Sequence, residues 1–172
     1  RERAASVLSL VRDHAVLSLH EELPPHERDP GQPRVLALAL GDLTRMDLVV
    51  EKATELGMTT LQPFVAARSQ ARSVAPARIE RWQRIARSAA EQCGRTALPD
   101  IRPCIGFDAL VADVRSGGTT WVLDPARGTA AASAFPPAAG GGLTLVIGPE
   151  GGLEPAEVEQ LRAAGARLVN LG

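Results

Sequence analysis

Apolar and polar positions alternate through the first 23 residues, with Val7, Leu8, Leu10 and Val11 before Arg12-Asp13-His14, and Val16, Leu17 and Leu19 after it. A period near two is that of a half-buried strand, so this segment predicts two short strands around a turn. Two strands do not make a domain alone. Residues 24–33 are rich in proline and charge, the composition of a linker or domain boundary. Residues 1–23 therefore read as the tail of an amino-terminal β domain.

From residue 34 to 172 the pattern changes to strands alternating with helices, which predicts a mostly parallel sheet flanked by helices. Val35 to Leu40 is the first strand. Thr44, with Asp47 three residues on, reads as the N-cap of a helix through Leu48, Val49, Lys52 and Leu56 that Gly57 ends. Thr59 to Phe64 is a second strand. Arg78 to Cys93 is the longest helix: Ile79, Trp82, Ile85, Ala86, Ala89 and Cys93 fall on one face, and Gly94 stops it. Ile101, Thr120 to Leu123, Leu143 to Ile147 and Leu168 to Leu171 predict further strands, with helices near 107–116 and 155–164.

The run Leu143 to Ile147 is short, apolar and β-branched, as a strand covered on both faces should be. Gly148-Pro149-Glu150-Gly151-Gly152 follows, and Pro155 suits the first turn of a helix. Glycines allow a ligand to approach the main chain closely. Glu150 places a carboxylate in a loop otherwise almost free of side chains. No Lys-Ser/Thr follows the glycines, and the G-x-G-x-x-G spacing is absent, so neither a P-loop nor a dinucleotide fingerprint is present. Such a loop suits a ligand with hydroxyls, amines or a positive centre. A solvated Glu in a tight strand-to-helix turn would carry the same residues.

Composition narrows the class. The chain has 172 residues, 45% of them hydrophobic, with mean hydropathy of −0.01 and a formal charge of −1. No apolar run is long enough for a membrane span and no signal-peptide pattern opens it, so cytoplasm is the default expectation. Cys93 and Cys104 lie on separate elements, and His14, His20 and His26 all fall in the first segment, which leaves no candidate metal set. Charge is uneven: residues 44–102 carry ten Arg/Lys against six Asp/Glu. Nearly all these cations are Arg, able to bind phosphate bidentately and to stack on bases, although coding bias towards Arg gives the same excess.

Read in order, Asp47-Leu-Val-Val-Glu-Lys-Ala-Thr-Glu-Leu-Gly57, Pro63-Phe-Val-Ala-Ala-Arg68-Ser69, Ala90-Glu91-Gln92-Cys-Gly-Arg95, Pro99-Asp-Ile, Ile147-Gly-Pro-Glu-Gly-Gly152 and Leu171-Gly172 closely resemble one family. It is the RsmE-type methyltransferases of 16S ribosomal RNA, and the likeness runs from about residue 35 to the end. The resemblance implies a SPOUT-class α/β domain with a carboxyl-terminal trefoil knot, preceded by a PUA-like β-barrel and working as a homodimer. It implies methyl transfer from S-adenosylmethionine to N3 of one uridine in the small subunit. The cofactor-binding residues would be Leu123, Asp124 and Pro125; Ile147, Gly148, Pro149, Glu150, Gly151 and Gly152; and Leu171 and Gly172. Asp124 departs from the family, which often has histidine before the proline. The family also continues past Leu-Gly with an Arg-rich segment that closes the knot, so the domain is expected to be incomplete at residue 172.

Uridine N3 holds a proton at neutral pH that must be removed, or the developing imide anion stabilised, and arginine suits the second task. Arg68 and Arg95 are the expected uridine or phosphate contacts, with Glu91 or Glu150 as proton acceptor. Arg68, Arg72, Arg84 and Arg95 form the expected RNA-binding set. Arg95 would equally make an i, i+4 ion pair with Glu91. A ribose 2′-O-methyltransferase of the same superfamily and an inactive RNA-binding factor stay open as alternatives at this level.

Overall fold

The computed structural model describes residues 3–22, 31–125, 130–131 and 142–170. Strands β1 (Arg3–Val11) and β2 (His14–Glu22) pair antiparallel as a separate two-stranded sheet, as the alternation predicts. Their apolar side chains stand in solvent, from Leu17 at 50% to Leu10 at 80% exposure. A ribbon with bare apolar side chains buries too little to stabilise itself.

Among the described residues, the other eight strands form one parallel sheet. In chain order they are β3 (Arg34–Ala39), β4 (Thr60–Val65), β5 (Asp100–Ile101), β6 (Ile105–Gly106), β7 (Thr119–Leu123), β8 (Ala130–Ala131), β9 (Leu143–Ile147) and β10 (Arg167–Asn170). In space the order is β5-β4-β3-β9-β7-β10-β8, with β6 also on β4. Strand β9 is thus inserted between β3 and β7, with Leu36 opposite Leu145 on one side and Trp121 opposite it on the other.

Helices α1 (Leu43–Glu55) and α2 (Pro76–Cys93) cover one face, and α3 (Phe107–Ser116) and α4 (Pro155–Ala163) the other. Alternation along β3 shows why both faces need cover. Leu36 and Leu38 pack with Met46, Val50 and Trp82, whereas Ala37 and Ala39 pack with Leu110, Val114 and Leu161. Trp82, the largest fully buried side chain, donates its indole N–H to Asp47 Oδ1 at 3.1 Å. That bond satisfies the one polar group of an otherwise apolar anchor between α1 and α2.

Helix boundaries follow the sequence with one correction. The N-cap of α1 is Asp42, not Thr44: its carboxylate accepts the Thr44 N–H at 2.8 Å and the Thr44 hydroxyl at 2.7 Å. An N-cap acceptor reaches the amide two or three residues on, so the helix starts at Leu43 and Thr44 becomes the donor. Gly57, at φ 78°, and Gly94, at φ 71°, end α1 and α2 in the left-handed region that favours glycine. The short edge strands β6 and β8 carry no periodic signal and were not foreseen.

Candidate functional site at the carboxyl ends of the strands

In a parallel sheet, ligands collect outside the carboxyl ends of the strands where the order reverses, because helices and loops diverge there. The insertion of β9 beside β7 makes such a place. A cavity of about 680 Å³ opens there. It is lined by Leu123, Asp124 and Pro125 after β7, Ile147 to Leu153 after β9, Val169 and Asn170 on β10, and Arg68 from the β4–α2 loop. Of the expected cofactor residues, nine line it together; Leu171 and Gly172 lie outside the described residues. Leu153, Val169 and Asn170 line it as well and were missed by sequence reasoning.

The loop after β9 is shaped by its glycines. The Gly152 N–H closes a turn on the Pro149 carbonyl at 2.7 Å, with φ 71° at Gly152. A Cβ on Gly148 would meet Leu153 Cγ at 3.0 Å and the Leu153 nitrogen at 3.1 Å. The loop after β7 is tied across to β10, because the Asp124 N–H donates to the Val169 carbonyl at 3.0 Å. Asp124 itself is buried, at 8% exposure. The walls combine apolar side chains with main-chain groups, the make-up of a pocket for a mixed polar and apolar small molecule.

Each expected chemical residue can now be placed. Arg68 stands at the cavity with half of its side chain exposed; its Nη1 donates to the Gly151 carbonyl at 2.8 Å and its Nε lies 3.8 Å from Glu154 Oε1. The Glu150 carboxylate turns toward the β3–α1 loop, accepting the Asp42 N–H and the Gln70 side-chain amide, both at 3.3 Å. Arg72 folds back on its own loop, donating to the Ala66 carbonyl at 3.1 Å and the Ala67 carbonyl at 3.0 Å. It also borders a second, more open hollow of about 900 Å³ between α2 and the edge strands. That hollow meets only the edge of the sheet, so the smaller cavity has the stronger topological claim.

Glu91 and Arg95 are not brought to the cavity. They sit where α2 ends, beside the start of β4, at the amino ends of the strands. Arg95 Nε donates to the Glu55 carbonyl at 3.0 Å, and its guanidinium occupies the space a Cβ on Gly57 would need. A cation against the last carbonyls of α1 complements the helix dipole. Arg84 is exposed on α2.

Two pKa directions describe the charge around α1. The Thr44 backbone N–H beside Asp42 holds its carboxyl below the usual value. The Arg81 hydrogen bond does the same for Asp47. Among the described residues there is no group of three or more His, Cys, Asp or Glu placed to hold a metal ion, and no helix is long and apolar enough to cross a membrane.

A family model described as an RNA methyltransferase domain matches residues 29–172. The ribosomal RNA small subunit methyltransferase E of Mycobacterium bovis is 36% identical over 152 residues, covering 83% of this chain and 57% of that protein. The chain thus spans little more than half the length of this relative. Among solved structures, a ribosomal RNA small subunit methyltransferase E from Neisseria gonorrhoeae bound to S-adenosylmethionine superposes with a TM-score of 0.83 at 28% identity, over 98% of this chain and 69% of that one. A Legionella pneumophila protein in complex with the same cofactor gives 0.82 at 25% identity, over 99% and 70%.

Proposed function

The chain belongs to the RNA methyltransferase domain family, and from that premise we propose that it binds S-adenosylmethionine in the cavity at the ends of β7, β9 and β10 and methylates small-subunit ribosomal RNA at N3 of a uridine. The observation that carries this reading is the convergence of three strand ends on one cavity of about 680 Å³ with Arg68 at its edge. The residues present fit the cofactor. Leu123, Ile147, Leu153 and Val169 offer apolar contact for adenine, while the glycine loop and the Asp124–Pro125 turn offer main-chain groups to a ribose and an amino acid. Asp124 and Glu150 are both among the lining residues, so acidic residues border the site of a cationic centre.

When bound, the cofactor supplies an electrophilic methyl on a sulfonium. The chain's own part is to align, to exclude water and to manage one proton. Arg68 stands where its charge would stabilise an imide anion or hold a phosphate. Glu150 as proton acceptor would have to give up its bond to Asp42 or Gln70. Arg95 and Glu91, at the opposite end of the sheet, take no part in the transfer step within one protomer. The uridine must be unpaired or flipped, because N3 lies on its pairing edge. Arg84 and Arg72, both exposed, serve phosphate contacts in this reading.

The proposal extends to the whole protein: a PUA-like barrel of which residues 1–23 are the tail, a trefoil knot through the carboxyl-terminal segment, a homodimer, and a cytoplasmic place of work on the small subunit. The bare apolar side chains of β1 and β2 support the first, and the insertion of β9 between β3 and β7 supports the second.

The test is calorimetric titration of S-adenosylmethionine into this chain and into a version extended to the length of its relatives. Methyl transfer to unmethylated small subunits is then mapped by the reverse-transcription stop that N3-methyluridine causes. Binding by the extended chain with a stop at one uridine supports the proposal. Binding by neither protein ends it, and a methylated ribose would move the reading to a 2′-O-methyltransferase.

A further inference from the structure

The loop that carries Arg68 has its main chain held from several sides. The Ala66 N–H donates to Ser69 Oγ at 2.9 Å, and the Ala66 carbonyl accepts from the Ser69 N–H and from Arg72. The Ala67 carbonyl also accepts from Arg72, and the Gln70 N–H donates to the Leu40 carbonyl at 3.1 Å. The remaining Ala67 N–H donates to Glu157 Oε1 at 2.7 Å, across 90 positions of sequence. The second oxygen of Glu157 accepts the Glu154 N–H at 2.9 Å, at the start of α4. Glu157 is only 8% exposed, so each of its oxygens has exchanged water for one main-chain donor.

We propose that Glu157 is a positioning residue for Arg68, an inference that rests on the methyltransferase reading above. One carboxylate locks the amide immediately before Arg68 to the amide that opens α4. It therefore fixes the spacing between the β4–α2 loop and the glycine loop that precedes α4. Arg68 spans the same gap on the cavity side through Nη1 to Gly151. The two bridges are parallel, one buried and one at the cavity, and the buried one determines where the guanidinium can stand. A half-exposed arginine bond on its own would be worth little and would sample many rotamers. A charge-assisted buried bond to each loop limits that sampling.

The test combines Glu157→Gln, Glu157→Ala, Arg68→Ala and both double variants with Arg68→Ala, in the chain extended to the length of its relatives. Glutamine keeps one acceptor oxygen but sets an NH₂ against the other N–H donor, so it loses one of the two bonds. Methyl transfer from S-adenosylmethionine to unmethylated small subunits should fall about tenfold in kcat for Glu157→Ala and less for Glu157→Gln, with cofactor affinity within about threefold of the parent. Adding either Glu157 change to Arg68→Ala should lower kcat no further, since a residue acting through Arg68 has nothing left to position. Additive losses, or cofactor affinity falling in step with kcat, overturn the proposal. If the alanine variant fails to fold, the glutamine pair completes the same cycle. Amide hydrogen exchange at Ala67 gives a readout free of activity, and it should quicken in Glu157→Gln. An inactive parent would sink the proposed function alone; unchanged exchange at Ala67 would sink the positioning role.

Discussion

The Glu150 carboxylate lies directly against Gly41, in the space a Cβ there would occupy. The contact joins the glycine loop after β9 to the loop between β3 and α1, and the Asp42 N–H and Gln70 amide complete it. Gly41 is absent from the positive-φ glycines, so what the position needs is room rather than a special backbone conformation. A Gly41→Ala variant should fold, because the obstructing atoms end a flexible side chain, but Glu150 must move. Cofactor affinity measured by calorimetry should weaken several-fold; an unchanged affinity would show that the loop does not depend on where Glu150 is tied.

Gly148 presents the opposite case, since the atoms a new Cβ would meet include the Leu153 backbone nitrogen at 3.1 Å. Backbone cannot swing aside as a side-chain tip can. Gly148→Ala should cost about 1–3 kcal/mol through overpacking. The thermal midpoint should fall, and cofactor should restore less of it than in the parent.

Arg68→Ala removes a half-exposed side chain, so stability should change by less than about 0.5 kcal/mol. Methyl transfer should drop about a hundredfold if the guanidinium meets the charge that develops on the base. Lysine should not rescue it, because a point charge cannot hold the Gly151 carbonyl and a second acceptor in one plane. Steady-state kinetics on unmethylated small subunits decide this, and a lysine variant with full kcat would argue for simple charge.

Asp47 links α1 to α2 by accepting from Arg81 Nε at 2.8 Å and from the Trp82 indole at 3.1 Å. Its carboxyl sits below its ordinary value chiefly because of the Arg81 hydrogen bond. A depressed folded pKa gives stability that is fully present above the unfolded value of about 4 and is lost as pH falls through the folded one. The stability gap between the parent and Asp47→Asn should therefore be constant from pH 7 to 5 and shrink below about pH 4. Denaturant midpoints across that range test it, and a gap that widens in acid would contradict the assignment.

Trp82→Phe keeps most of the buried ring but drops the indole N–H, leaving Asp47 with Arg81 and, at 3.9 Å, Arg78. The expected cost is about 1 kcal/mol for the lost bond. Trp82→Ala should cost about 3–5 kcal/mol, since a fully buried side chain leaves a cavity. Urea unfolding of the two variants separates the bond from the packing.

By itself the sequence determined the succession of elements. Strand and helix periods are properties of a few neighbouring residues, so β3, β4, β7, β9 and the four described helices were legible, and so were the glycine stops at Gly57 and Gly94. The strand-to-helix loop after Ile147 was legible too, because its glycines have no side chains to serve any local core. Tertiary structure alone decided which strand ends meet. The place of β9 between β3 and β7 depends on burying both faces of every central strand at once, and no window of sequence holds that sum. Arg68 and Arg95 each follow a family-like motif, yet one came to the cavity and the other to the C-terminus of α1. Their difference is the end of the sheet at which each chain segment emerges. Glu157 showed only as a carboxylate three residues after Glu154 in a helix's first turn. Its partner at Ala67 lies 90 positions away and was settled when α4 packed on the sheet, since only then did a buried carboxylate need a second donor.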